Sequence, residues 1–325
     1  MVRWGILGAG NIAHRFCASL AHEGRSKLVV VSRRSEEKAN AFLAEVGAAP
    51  GVRAYGSHDA LLEDGDVDAI YLALPHAHHH AWALRAIAAG KAVLSEKPAM
   101  LTADEMREAA EASRAHGVLF MEAMKPRFQP IYPKVCDQVQ GIGRITSVYA
   151  SLCNDMLEQV AGSPTYHMTP GAGAGVLLDC GTYCANWLAD LLDAQAPIEV
   201  GHAECVLVDG GVDVYVRSEL EVAGVAAELE CAFDRAKPRV CRIVGERGVI
   251  EVDELHRPQR AVVSLEGEEP REVVAPYVVD DFFGEISHFV DLLETGKAAS
   301  PVMGLEDSVR VAEYLDAVRA TMLRQ

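Results

Sequence analysis

Residues 2–13 read VRWGILGAGNIA, and this stretch decides the fold. An apolar run, Val2–Leu7, ends in Gly8-Ala9-Gly10, and Asn11 opens a pattern that predicts a helix over Asn11–Glu23. The spacing is G-x-G-x-x-A, directly between a strand and a helix. In that context the first glycine permits a tight turn. The second removes a Cβ so that a pyrophosphate can approach the backbone, and the small Ala13 lets helix and strand pack closely. The helix N-terminus adds unpaired N–H groups and the positive end of the helix dipole. The stretch therefore predicts dinucleotide binding at Gly8, Gly10, Asn11 and Ile12; a plain tight turn is the bland alternative.

Working outward, strand and helix alternate over the first 120 residues. Lys27–Ser32 (KLVVVS) reads as a buried strand, and Ser35 as the N-cap of a helix over Glu36–Val46. Asp68–Leu74 is a strand, His78–Ala89 a helix stopped by Gly90, and Ala92–Ser95 a strand. Thr102 and Glu105 form a capping box for a helix that Gly117 closes, before a strand at Val118–Met121. Continuous apolar strands between amphipathic helices predict a doubly wound α/β domain, its parallel sheet covered on both faces. After Pro130 the period changes. Val212, Val214, Val216, Leu220 and Val222 alternate with Asp213, Tyr215, Arg217, Glu219 and Glu221, and Val225–Asp234 alternates in the same way. That period of two predicts antiparallel strands with one wet face. Turn signals fall at Asp209-Gly210-Gly211 and Gly245–Gly248, and helices over Asp280–Thr295 and Gly304–Leu323 close the chain. The expected division is 1–122 and 123–325, a dinucleotide domain followed by an α+β domain.

A length of 325 residues fits two domains at roughly 150 each and needs no disulfide or metal to stabilise a core. Lys and Arg number 30 against 47 Asp and Glu, a formal charge of −17. Such acidity disfavours nucleic acid and anionic membrane as partners. No apolar run reaches the ~18 residues of a membrane span, and the N-terminus has no signal-peptide layout. The eight cysteines form no C-x-x-C pair, which predicts a reduced cytoplasmic chain. The tract His76, His78, His79, His80 invites a metal, but adjacent helix positions point apart and no carboxylate or Cys lies at ligand spacing. No metal site is expected.

The end of the second strand selects the cofactor. NAD enzymes place Asp or Glu there for the ribose 2′-hydroxyl. Here the residues are Ser32-Arg33-Arg34. A hydroxyl and guanidinium groups suit a 2′-phosphate, so NADP is expected to be preferred, with NAD possible.

Four further stretches stand at strand or helix boundaries: Pro75–His79, Gly90–Pro98 (GKAVLSEKP), Glu122–Pro130 (EAMKPRFQP) and Gly175–Tyr183 (GVLLDCGTY). With the glycine loop, and in this order, they resemble the glucose–fructose oxidoreductase / inositol dehydrogenase (Gfo/Idh/MocA) family over nearly the whole chain. The resemblance implies an N-terminal Rossmann domain, then an α+β domain carrying an open, mainly antiparallel sheet. It implies a homodimer or homotetramer through that sheet, and oxidation or reduction of one carbon of a sugar, polyol or cyclic diol. It places Leu74, Pro75, His76, His79 and Glu96 by the cofactor and Lys97 by the nicotinamide and the reacting oxygen. It also implies a cis peptide at Lys97–Pro98.

Asp179 and Tyr183 are four apart and share a helix face. Many relatives carry His where this chain has Tyr183; the Tyr form resembles the dihydrodiol dehydrogenase and glucose–fructose oxidoreductase branches. Tyr183 is expected as acid/base, Lys97 as its electrostatic partner and oxyanion stabiliser, and Asp179 as the group orienting substrate hydroxyls or Lys97. His167 is a further candidate for touching substrate. Three other functions compete: a non-catalytic nucleotide sensor on the same fold, a redox-neutral glycoside hydrolase with tightly held NAD, and an NAD-dependent inositol dehydrogenase.

Overall fold

The computed structural model describes residues 1–162, 166–171, 173–208 and 210–324, so Asp209 of the predicted turn lies outside the described residues. The first of two compact units holds six parallel strands: β1 (Val2–Leu7), β2 (Ser26–Ser32), β3 (Arg53–Tyr55), β4 (Ala69–Leu72), β5 (Ala92–Glu96) and β6 (Phe120–Ala123). Their order is β3-β2-β1-β4-β5-β6. The helices between them are α1 (Asn11–Leu20), α2 (Glu36–Glu45), α3 (His58–Glu63), α4 (His79–Ala88) and α5 (Ala103–His116). β4 and β5 are buried at every position, as expected of strands covered on both faces. Ser35 caps α2 by accepting from Lys38 N–H at 3.3 Å. The strand order reverses between β1 and β4, which opens a crevice at the carboxyl ends of those strands, where ligands bind in such sheets.

The second unit carries an eight-stranded sheet in the order β14-β13-β12-β11-β7-β10-β9-β8. Its strands are β7 (Ile145–Cys153), β8 (Ile198–Val208), β9 (Val212–Val222), β10 (Val225–Ala232), β11 (Val240–Gly245), β12 (Gly248–Asp253), β13 (Arg260–Leu265) and β14 (Arg271–Val274). Every neighbouring pair is antiparallel except β7 with β10. The helices are α6 (Ile131–Val139), α7 (Leu157–Gly162) and α8 (Thr182–Leu191); α6 and α8 meet through Tyr132 and Trp187, whose rings lie 4.5 Å apart. The polar strand face is not wholly wet. Glu230 is buried there, accepting hydrogen bonds from Tyr149 (2.6 Å), Tyr215 (2.9 Å) and Lys237. The alternation predicts which way Glu230 points, but not that two cross-strand tyrosines close over it.

Two helices end the chain, α9 (Phe283–Glu294) and α10 (Leu305–Met322). The sequence divides the chain once, at 122/123. The chain instead packs with residues 278–308 in the first unit, beside 1–100 and 104–123, while 101–103 join the second. The reason is an aromatic core. Trp4 of β1 is fully buried between Phe16 of α1 (5.3 Å) and Phe289 of α9 (5.2 Å), and Phe16 stacks on Tyr71 at 3.9 Å. Polar contacts pin the same segment: Asp280 accepts from the Ser19 hydroxyl (2.9 Å), and Arg25 pairs with Asp291.

Candidate active site

The first unit supplies a dinucleotide cradle. Gly8 turns at φ +90°, where side chains are rarely found. A Cβ there would lie 2.6 Å from Leu74 Cδ2 and 2.8 Å from the Ala73 carbonyl oxygen. Gly10 is different. Its φ is −94°, and a Cβ on it would meet nothing within 4 Å. It is the N-cap of α1, and among the described residues no side chain caps that first turn. Open space beside uncapped N–H groups fits a pyrophosphate, so the residues present suit the cofactor. Asn11 is exposed and Ile12 half-buried at the same turn, while Ala13 is buried against the sheet.

At the end of β2, Ser32 is fully buried. Its hydroxyl lies 2.8 Å from His58 Nδ1 and 3.3 Å from the Ile6 carbonyl oxygen, and its own carbonyl accepts from Gly8 N–H at 3.2 Å. Ser32 therefore supports the cradle from beneath. Arg33 is half-buried and Arg34 exposed.

Beyond β4, Leu74 and Pro75 are half-buried and His76 is buried. His79 is fully enclosed. Its Nε2 lies 2.8 Å from the Leu74 carbonyl oxygen and its Nδ1 3.0 Å from that of Pro98. Burial pushes its pKa below the usual histidine value, against the pull of both carbonyls and of Glu96. His79 thus joins the end of β4 to the turn after β5. His78 is exposed, and His80 lies 3.0 Å from Glu108. Glu96 is buried and accepts from the Tyr71 hydroxyl, and from Lys97 N–H at 3.3 Å. Lys97 is half-buried, and the Lys97–Pro98 peptide is cis.

In the second unit, the helix carrying Asp179 and Tyr183 starts with a π turn, Leu177–Gly181, before α8 becomes regular. Insertions of this kind recur at functional sites. Asp213 holds the turn, accepting from Leu177 N–H at 2.7 Å. Its carboxyl fills the space beside Gly175, whose φ is +105°; a Cβ there would lie 2.0 Å from Asp213 Oδ1. Burial pushes the Asp213 carboxyl above its usual range, which the backbone N–H donors oppose. Asp179 lies 3.8 Å from His167 Nδ1, so these two predicted residues do meet. Tyr183 is 5% exposed, with the Lys125 ammonium 6.0 Å from its ring centre and the His256 ring at 5.8 Å. Lys125 and His256, which flank the Tyr183 ring, are not among the residues the sequence singles out; Lys125 stands in the stretch Glu122–Pro130, and nothing local marks His256.

Residues 2–124 match the family model described as an oxidoreductase family with an NAD-binding Rossmann fold, and residues 138–251 match the GFO/IDH/MocA C-terminal domain. The chain is 31% identical to the mouse (Mus musculus) trans-1,2-dihydrobenzene-1,2-diol dehydrogenase, over 98% of this chain and 96% of that one. It is 29% identical to the scyllo-inositol 2-dehydrogenase (NADP(+)) of Bacillus subtilis (strain 168), over 99% and 97%. Its fold is similar to that of a 3-ketoreductase from Actinomadura kijaniata, solved with NADP and TDP-benzene: TM-score 0.86, 27% identity, 98% and 97% covered. With both domain models matched and relatives aligned from end to end, the chain belongs to the Gfo/Idh/MocA family of oxidoreductases.

Proposed function

We propose that this oxidoreductase prefers NADP and interconverts a carbinol and a carbonyl carbon on a sugar, polyol or cyclic diol. The observation that carries the reading is the pair of glycines after β1: Gly8 is demanded by the fold, whereas Gly10 faces open space at an uncapped helix end. The substrate class rests on the relatives, one named for a dihydrobenzenediol and one for an inositol. The absence of a carboxylate from Ser32-Arg33-Arg34 supports NADP.

Bound nicotinamide supplies or accepts the hydride. The chain's residues do the rest. Gly8, Gly10, Asn11 and Ile12 hold the pyrophosphate, with Leu74, Pro75, His76 and Glu96 along the cofactor, and Arg33 and Arg34 face the 2′-phosphate. The Lys97 ammonium stabilises the negative charge that develops on the substrate oxygen. The Tyr183 hydroxyl gives or takes that oxygen's proton, and Asp179 orients neighbouring hydroxyls. Lys125 favours the phenolate of Tyr183, because a cation near the ring stabilises the charged form.

The same reading assigns the first unit, residues 278–308 included, to cofactor and the second unit to substrate and to assembly. Copies of the chain pair through the sheet face bearing Tyr149, Arg217, Glu219 and Glu228, which carries a hollow of about 600 Å³. A cytoplasmic location fits the chemistry of the thiols: among the described residues no disulfide joins any of the eight cysteines. No described helix is long and apolar enough to cross a membrane.

The test is nicotinamide absorbance with NADP or NAD and a panel of sugars, polyols and diols. Turnover with NADP is expected, cut 10²-fold or more by Tyr183→Phe and by Lys97→Ala while NADPH still binds. Tight cofactor binding without turnover on any substrate would favour a sensor; sugar release without net cofactor change would favour a hydrolase.

A further inference from the structure

We propose that His58 is a further determinant of cofactor choice, reading the 2′-phosphate of NADP through Nε2 while Ser32 holds Nδ1. The inference rests on the NADP preference set out above. It begins from a mismatch. Ser32 stands at the end of β2, where this fold reads the ribose 2′ position. Yet Ser32 is fully buried, and its hydroxyl is engaged at 2.8 Å with His58 Nδ1. Besides the half-buried Arg33 and the exposed Arg34, the half-buried imidazole of His58, bonded to Ser32, is an accessible polar side chain at this place.

The Ser32 hydroxyl has one proton and two lone pairs, so it complements Nδ1 in two states. It donates to a neutral ring protonated on Nε2. Alternatively it accepts from a protonated ring and turns its own proton to the Ile6 carbonyl oxygen, 3.3 Å away. Nε2 carries a proton in both states, and the ring takes up its second proton without losing its partner. His58 is thereby built as a donor that can become a cation.

The surroundings hold that charge back until an anion arrives. Burial lowers the His58 pKa, and then His78, from the turn before α4, and Arg85, from α4, lower it further. Arg85 lies over the Trp82 ring at 4.2 Å and pairs with Asp59 of α3, so the carboxylate next to His58 in sequence is already committed. Trp82 meets the His58 ring edge-on at 5.0 Å and fixes its plane. Arg33 and Arg34 follow Ser32 directly. A 2′-phosphate, whose second pKa is about 6, is mainly a dianion at pH 7.5. It supplies the charge that protonates His58. Binding of NADP, and not of NAD, therefore takes up a proton.

The experiment is calorimetric titration of the full chain with NADP+ and NAD+ at pH 7.5, in two buffers of different ionisation enthalpy. The wild type is expected to take up roughly half a proton or more with NADP+ and none with NAD+. His58→Gln should weaken NADP+ about 5- to 20-fold, abolish the uptake, and leave NAD+ affinity and the cofactor-free melting temperature unchanged. His58→Lys, with a fixed charge, should restore NADP+ affinity without uptake. Equal uptake and affinity in wild type and His58→Gln would overturn the proposal, and so would equal losses for both cofactors. A wild type that shows no preference for NADP+ over NAD+ would instead defeat the NADP reading itself.

Discussion

The two glycines of the cradle make opposite demands, and replacing each by alanine separates them. In Gly8→Ala the residue must hold φ +90°, at a cost of about 1–3 kcal/mol for a non-glycine residue. The new methyl also meets Leu74 Cδ2 at 2.6 Å and the Ala73 carbonyl at 2.8 Å. The second of these is backbone and gives way poorly, so overpacking adds about 1–3 kcal/mol. Gly8→Ala should therefore lose about 2–6 kcal/mol of stability. Gly10→Ala has an ordinary φ and an empty surround, and loses at most about 1 kcal/mol because alanine is a poorer N-cap than glycine. Its methyl nonetheless occupies the space a pyrophosphate needs, and NADPH affinity should fall tenfold or more, about 1.4 kcal/mol. Urea unfolding followed by tryptophan fluorescence gives the first quantity, and NADPH fluorescence titration the second. The reasoning is refuted if Gly10→Ala unfolds as readily as Gly8→Ala, or if it binds NADPH like the wild type.

Phe289→Ala should destabilise the chain by about 3–5 kcal/mol in urea, since it removes a fully buried ring from beside Trp4. A loss below about 1 kcal/mol would mean that α9 contributes little to the first unit. Burial alone would raise the Glu230 carboxyl, but Lys237, Tyr149 and Tyr215 together hold it below its usual value. A depressed folded pKa gives stability that is present above the unfolded value and lost as pH falls through the folded one. The wild type should therefore lose more stability than Glu230→Gln on acidification from about pH 5 to pH 3, and equal losses would sink the assignment. In the carbonyl-reducing direction with NADPH, where Tyr183 must carry its proton, Lys125→Met should move the basic limb of the kcat profile to higher pH, because it removes a cation facing Tyr183; an unmoved limb would separate Lys125 from the proton transfer.

The first unit was legible because its signals are local. A glycine loop, fully apolar strands and caps such as Ser35 each act within a few residues, and the topology follows from their order. The alternation along β9 and β10 likewise gave the antiparallel strands. What escaped the reading depends on partners distant in the chain. An amphipathic helix announces that α9 buries one face, but not that the face belongs against Trp4. The π turn at Leu177–Gly181 has no periodic signature, because it is set by Asp213 and by the space at Gly175. Ser32 looked like a ligand contact because its position is right; only the packed structure shows its hydroxyl turned to His58. The family resemblance supplied Lys97 and its neighbours, which composition and periodicity do not single out.

The cofactor unit is closed by residues 278–308, with the whole stretch 124–277 intervening. On the ribosome this delays it. Strands β1–β6 emerge early, but the ring that covers Trp4 is made only after the intervening stretch, roughly ten to thirty seconds later at typical elongation rates. During that interval the nascent sheet exposes the aromatic surface that Phe289 later covers. NADP is then expected to capture the unit only after α9 has emerged, so truncated chains lacking α9 should be recognised as unfinished before they acquire cofactor.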